Sequence, residues 1–273
     1  MQMTNEQMER QARQVWEQTL RVHALCQETR IASSISCIEI FVALFYGGEF
    51  RFDPKEPLAE GRDRLVISKG HGSISLYPIL ADLGFIDPLE LERPGQPGAL
   101  LKAIPDPHIP GYETVNGSLG HGIGVGAGMA LGLRAKWSGS RVVVLCGDGE
   151  LHEGAMWEGV MLAARHQLAN LTLIVDNNRQ CMLDFSQEVL GLAPLADKFR
   201  AFGWDTAEVD GHDVAAVRAV LQQALVRTSG GPMAVVANTI KGRGVKGLEG
   251  EPLCHIFNVK PEKVEAMLGG EPS

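Results

Sequence analysis

Apolar positions recur at helical spacing near the N-terminus. Ala12, Val15, Trp16, Thr19, Val22 and Cys26 share one face of a predicted amphipathic helix. A second helix is predicted from about Ser34 to Tyr46, stopped by Gly47–Gly48. Arg64 to Ser68 (RLVIS) reads as a short buried strand, followed by a loop over Lys69–Gly72. Residues 87–118 are rich in Pro and Gly and poor in apolar residues, which predicts a long loop of the kind that often carries function. Gly117 to Leu133 has glycine at 117, 120, 122, 124, 126, 128 and 132. The expectation for most of these is a helix whose small residues let a neighbour pack closely. Val142–Cys146 and Leu171–Val175 are continuous apolar runs, as expected for strands buried on both faces. Between them, Glu150 to Gln167 reads as one helix. Trp204–Val209, a helix over about Val214–Thr228, and Met233–Ala237 complete the alternation. The fold class is therefore α/β, a parallel sheet flanked by helices and joined by right-handed crossovers, in one domain over 1–273.

Composition narrows the classes. Lys plus Arg is 25 and Asp plus Glu is 33, a net charge of −8 with no basic stripe, so a nucleic-acid partner is not expected. The longest apolar runs are far shorter than the ~20 residues of a membrane span. The polar start MQMTNEQMERQARQ lacks a signal core, so a cytoplasmic protein without a membrane partner is expected. Five Cys without a CxxC fit reduced thiols rather than a zinc site.

Parallel α/β sheets bind ligands beyond the carboxyl ends of their strands. Gly147–Asp148–Gly149–Glu150 follows one strand, and Asp176–Asn177–Asn178 follows the next. One strand–helix–strand crossover separates them, so Asp148 and Asn178 can stand side by side. Carboxylate and amide oxygens suit magnesium or calcium, and magnesium commonly shares its sphere with phosphates. Gly149 lets a backbone N–H approach an anion at a helix start. Gly-Asp-Gly alone is only a turn; its position at a strand end, with Asn-Asn one crossover later, makes a metal–diphosphate site the better reading. The Gly117–Gly132 run is not a dinucleotide fingerprint, because its spacing fits no GxGxxG and no strand precedes it. Glu153 and Glu158 are spaced i, i+5, so they do not lie on one helical stripe.

These residues resemble the transketolase family of thiamine-diphosphate enzymes. The resemblance rests on GDGELHEGAMWE at 147–158, DNN at 176–178, SKGHG at 68–72, GSLGHG at 117–122, VDGH at 209–212 and TIKGRG at 239–244. It covers only the family's N-terminal half, which implies a thiamine-diphosphate-binding fold of the diphosphate (PP) type. The pyrimidine-binding half, with its activating Glu, is implied to be a separate C-terminal subunit in an α₂β₂ assembly. The resemblance implies thiamine diphosphate with Mg²⁺ (or Ca²⁺/Mn²⁺), held by Asp148, Asn178 and the Gln180 carbonyl. It places His71, Gly117, Leu119, Gly149, Glu150, Asn178, Lys241 and His255 at the cofactor. It gives His71, His108 and His255 proton-transfer and hydrogen-bonding roles, and Glu153 and Glu158 an acidic relay between active sites.

One position departs from the pattern. Arg30 stands where the family carries a His that touches the donor. Its planar cation suits carboxylates, phosphates or sulfonates, so Arg30 is expected to bind an anionic group or reshape the donor pocket. The activity implied is two-carbon ketol transfer to an aldehyde-type acceptor. The alternatives are decarboxylative transfer from a 2-oxo acid, or a degenerate scaffold subunit.

Overall fold

The computed structural model describes residues 2–115 and 117–269. Its centre is a five-stranded, wholly parallel sheet of β1 (Arg64–Ile67), β2 (Val142–Gly147), β3 (Leu171–Asn177), β4 (Asp205–Asp210) and β5 (Met233–Asn238), in the order β1-β2-β3-β5-β4. Among the described residues ten helices surround it: α1 (Asn5–Leu25), α2 (Ile31–Ile35), α3 (Ile38–Tyr46), α4 (Leu76–Leu83), α5 (Gly122–Ala135), α6 (Gly154–Arg165), α7 (Ser186–Leu190), α8 (Leu195–Ala201), α9 (Val214–Leu225) and α10 (Pro261–Gly269).

Alternation along β2 divides the core into two layers. Val143 and Leu145 point to one face and join the side chains of α1, α3, α4 and α9. Val142, Val144 and Cys146 point to the other and pack with α5, α6 and α8. A strand with apolar residues on both faces is stable only between two helical layers, and β2, β3 and β5 have that pattern. β4 lies at an edge and is mostly polar and open. Among the described residues no helix is long and apolar enough to cross a membrane.

Several boundaries differ from the sequence reading. The second helix begins at Ile31, not Ser34, and is broken at Ser36–Cys37 into α2 and α3. Lys69–Gly72 is not an open loop: Gly70–Ser75 forms a 3₁₀ turn. The helix expected from Glu150 to Gln167 is interrupted at Glu153, which is extended (φ −77°, ψ 124°); a 3₁₀ turn over Asp148–His152 precedes α6. The reason is local. Gly147 and Asp148 turn the chain off the sheet, and the turn spends the Glu150 side chain on tertiary contacts before regular helix starts.

The glycines near α5 also split. Those at 120, 122 and 126 are tightly packed: a Cβ would meet Glu153 at 2.7 Å, Ser68, and Val144 respectively. Gly117, Gly124, Gly128 and Gly132 face open space. Close packing within this chain therefore accounts for a minority of the run.

Candidate active site

Parallel pairing of β2 with β3 sets Gly147 opposite Asp176, so Asp148 and Asn178 emerge at adjacent strand ends. Asp148 is 4% exposed. Its Oδ2 accepts a hydrogen bond from Ser186 Oγ at 2.6 Å, while Oδ1 is buried with no partner. Burial pushes its carboxyl up to about 6, the Ser186 bond opposing. Asn178 donates through Nδ2 to Asp176 Oδ2 at 3.2 Å, and its Oδ1 accepts from Gln180 N at 3.2 Å. Opposite them, a Cβ on Gly149 would stand 3.1 Å from Cys181 Cα and 3.6 Å from Gln180 O. A side chain there would have to push the 180–181 backbone back by a few tenths of an ångström, so glycine suits this close approach. The orphaned carboxylate oxygen, the amide oxygen and the nearby carbonyl are hard donors that fit a divalent cation of the magnesium type.

Behind this lies a buried ion pair that the sequence reading does not anticipate. Lys69 Nζ contacts Asp176 Oδ2 and Ser36 Oγ. The same carboxylate accepts from Ser36 Oγ at 2.7 Å and from Thr239 Oγ1. Burial alone would discharge Lys69, but the Asp176 carboxylate outweighs it and raises its titration. Asp176 conversely is held low against its burial by Lys69 and these hydroxyl donors. The amide orientation of Asn178 is thus set by Asp176, which is fixed by donors from three other segments.

A second cluster contains His71 and His255. Their rings meet edge to face, centroids 5.2 Å apart, and Ser33 Oγ lies 3.0 Å from His255 Nδ1. Burial first, then nearby cations, depresses both: Arg30 and Lys241 for His71, Lys241 and Arg30 for His255, which falls to about 3. Both rings are neutral at pH 7. Arg30 forms no ion pair among the described residues, and its guanidinium reaches only the Glu28 carbonyl, at 3.5 Å. Lys241 is buried and donates to Cys181 O at 2.6 Å. Burial pulls its titration down. A cavity of about 550 Å³ beside these residues is lined by Asn178, Gln180, Thr239 and Lys241. The larger cavity, about 850 Å³, opens at the other end of the strands among Arg51, Arg134, Trp137 and Arg227, away from this chemistry.

The chain has relatives among known proteins. Residues 30–269 match the family described as transketolase, thiamine diphosphate binding domain. The chain belongs to the transketolase family. It is 36% identical over 238 residues to the 6-deoxy-6-sulfo-D-fructose transketolase subunit SqwG of Clostridium sp. (strain MSTE9), covering 86% of each chain. It is 35% identical over 237 residues to an apulose-4-phosphate transketolase subunit from Actinobacillus succinogenes, covering 86% of this chain and 85% of the relative. The transketolase structure from Campylobacter jejuni superposes with a TM-score of 0.86 at 26% identity, covering 99% of this chain but 44% of that one. In length the chain thus matches transketolase subunits, and it spans under half of the single-chain transketolase. It is a transketolase-type transferase subunit carrying a thiamine-diphosphate-binding domain, equivalent to the enzyme's N-terminal part.

The other positions that the resemblance implicates fall in four places. Gly149, Asn178, Gln180, Lys241, His71 and His255 surround the strand ends just described. Gly117 and Leu119 lie on the exposed loop before α5. His108 stands apart, its side chain 86% exposed and Nδ1 2.8 Å from Asp106 Oδ1, with no hydrogen bond or ring contact to the other two histidines. Glu153 and Glu158 are exposed in this single chain. Ser186 and Ser33 carry no sequence signal, since a lone hydroxyl is indistinguishable from surface until the fold places it; Thr239 opens the TIKGRG motif, but nothing in the motif gives its hydroxyl the role of a donor to Asp176.

Proposed function

We propose that this chain is the diphosphate-binding subunit of a two-chain transketolase that moves a two-carbon ketol unit from a donor to an aldehyde-type acceptor. One observation carries the reading: the unpartnered, buried Asp148 Oδ1 beside Asn178 at adjacent strand ends. In this reading Asp148, Asn178 Oδ1 and the Gln180 carbonyl hold Mg²⁺, with Ca²⁺ or Mn²⁺ as substitutes. Gly149, Lys241, His71 and His255 hold the diphosphate side, and Gly117 and Leu119 support the ring. Bound there, thiamine diphosphate supplies a nucleophilic carbon and an electron sink.

The chain's own residues do the rest. Neutral His71 and His255 can hold a hydrogen bond to a developing alkoxide, or take a hydroxyl proton without first losing one. Ser33 engages His255 at Nδ1, which leaves Nε2 for substrate. Asp106 fixes Nδ1 of His108 in the same way, directing Nε2 toward an incoming acceptor.

The missing half is a second subunit of the pyrimidine-binding type. Exposed Leu119, Val125, Met161 and Leu162, and the open glycines of α5, give it and a second copy of this chain surfaces to cover, in an α₂β₂ cytoplasmic assembly. Glu153 and Glu158 then become buried between active sites. Arg30 is a cation without an ion pair among the described residues and lies near the histidine cluster, and both relatives named above are named for a sugar bearing a sulfo or phosphate group. Arg30 selects a donor with an anionic group.

The reading is tested by titrating the two-subunit complex with thiamine diphosphate and Mg²⁺, then running a donor panel while monitoring carbon dioxide. Binding that Asp148→Ala abolishes, with ketol transfer and no gas, is expected. Carbon dioxide release would move the activity to 2-oxo acid decarboxylation, and absence of any binding would leave a scaffold subunit. Replacing Arg30 by His should change the order of donor preference; an unchanged order removes Arg30 from donor selection.

A further inference from the structure

Behind the site stands a carboxylate held by hydrogen bonds. Glu150 is 2% exposed and forms no ion pair among the described residues. Its Oε1 accepts hydrogen bonds from Gly120 N at 2.9 Å and from the Ser68 hydroxyl; Oε2 faces Gly147 N at 3.4 Å. Ser68 Oγ in turn accepts from Gly122 N, the first residue of α5, at 3.0 Å. An isolated buried carboxylate is unstable unless hydrogen-bonded. Here its donors come from three segments far apart in sequence: the end of β1, the loop before α5, and the end of β2. Three of its roughly four acceptor positions are occupied.

The loop it grips needs an external support. Gly120 has φ +90°, and a Cβ there would meet Glu153 Cβ at 2.7 Å. A glycine in the left-handed region loses much conformational freedom when fixed. The amide of Gly122, at the start of α5, would lack a partner without Ser68. Thus the loop carrying Gly117 and Leu119 is tied to the Gly147–Gly149 turn through one carboxylate and one hydroxyl.

We infer that Glu150 and Ser68 are positioning residues that lock the Gly117–Gly120 loop to the diphosphate turn, and that Glu150 acts through this strut and not by touching the cofactor. The strut is visible in the protein alone; what the loop serves rests on the thiamine diphosphate reading above.

Hydrogen exchange on the cofactor-free chain tests the strut directly. Ser68→Ala and Glu150→Ala should each speed exchange in peptides spanning 117–124 about tenfold, with β2 peptides unchanged. In the two-subunit complex, each should weaken Mg²⁺-dependent thiamine diphosphate binding about tenfold. The double variant should cost less than the two single effects combined, because the two residues share one network. Glu150→Gln, which keeps an oxygen for Gly120, should recover part of both losses. Unchanged exchange over 117–124 in the folded variants overturns the inference. So does wild-type cofactor affinity in Ser68→Ala beside lost affinity in Glu150→Ala, since that pattern marks direct contact. If the wild-type complex binds no thiamine diphosphate, the functional reading fails while exchange still decides the strut.

Discussion

At the scale of single residues, the site is organised around carboxylates whose environments differ. Asp176 is buried and saturated with donors; Asp148 is buried and half-satisfied. A saturated carboxylate builds structure, and a half-satisfied one is held at a cost that a bound cation would remove. Asp148→Asn keeps the Ser186 partner and the shape but removes the charge. The cofactor-free chain should become more stable by about 1 kcal/mol, a rise of roughly 2–4 °C in Tm. The stabilisation that Mg²⁺ with thiamine diphosphate gives the wild type should disappear. Thermal melts with and without the pair of ligands measure both. Gly149→Ala should act differently. Its Cβ would press on Cys181 Cα, so the chain should lose about 1–2 kcal/mol by overpacking. Cofactor affinity should fall along with stability.

Legibility at this scale is uneven for a physical reason. Asp148 and Asn178 can be paired from sequence because one crossover fixes their spacing. Lys69 and Asp176, 107 positions apart, cannot, although both lie in segments that carry recognisable motifs. Nothing local to SKGHG tells whether its lysine faces solvent or a buried acid.

At the scale of elements, α5 separates two uses of glycine. Gly126 lies against Val144 of β2, whereas Gly128, two residues on, meets nothing within this chain. Gly126→Ala should therefore destabilise the chain by about 1–3 kcal/mol. Gly128→Ala should stabilise the isolated chain by about 0.5–1 kcal/mol, since alanine is the better helix former in open space. If the outer face of α5 receives another backbone in the assembly, Gly128→Ala should also weaken association. Chemical denaturation of the isolated chain and sedimentation of the complex read the two effects separately. Sequence periodicity finds this helix and the strands because their patterns run over many residues. It misses the breaks at Ser36–Cys37 and Glu153, because Ser36, Cys37 and, just before the second break, Glu150 commit their side chains to tertiary contacts instead of to helix continuation.

At the scale of the whole molecule, the two-sided core is legible in the sequence and the closure of the chain's end is not. The segment bearing His255 is fastened to α1 by His23, a histidine that in sequence looks like any packed or solvated one. His23 Nε2 accepts from Val259 N at 3.1 Å, so Nδ1 carries the proton and donates to Thr29 Oγ1 at 2.6 Å. Gln27 adds a bond to Val259 O at 3.1 Å. Burial, then Arg30, lowers His23 to about 4. Because the folded value lies below the unfolded one, the unfolded chain binds more protons between the two. Stability should fall as pH drops from about 6.5 toward 4, by up to roughly 3 kcal/mol from this group. His255 adds a loss of the same sign that continues toward pH 3. Denaturant midpoints across pH 4–7 should show the slope, and His23→Gln should flatten it.

The carboxylate of Asp176 has a further consequence for how the protein is made. Its donors are Ser36, Lys69, Asn178 and Thr239, which leave the ribosome at widely separated times. The pocket at the strand ends cannot be assembled from a nascent fragment, because the last hydroxyl arrives only with the end of β5. A ligand that requires this pocket is therefore recognised only once the chain includes Thr239, and a nascent chain lacking that segment has no such site.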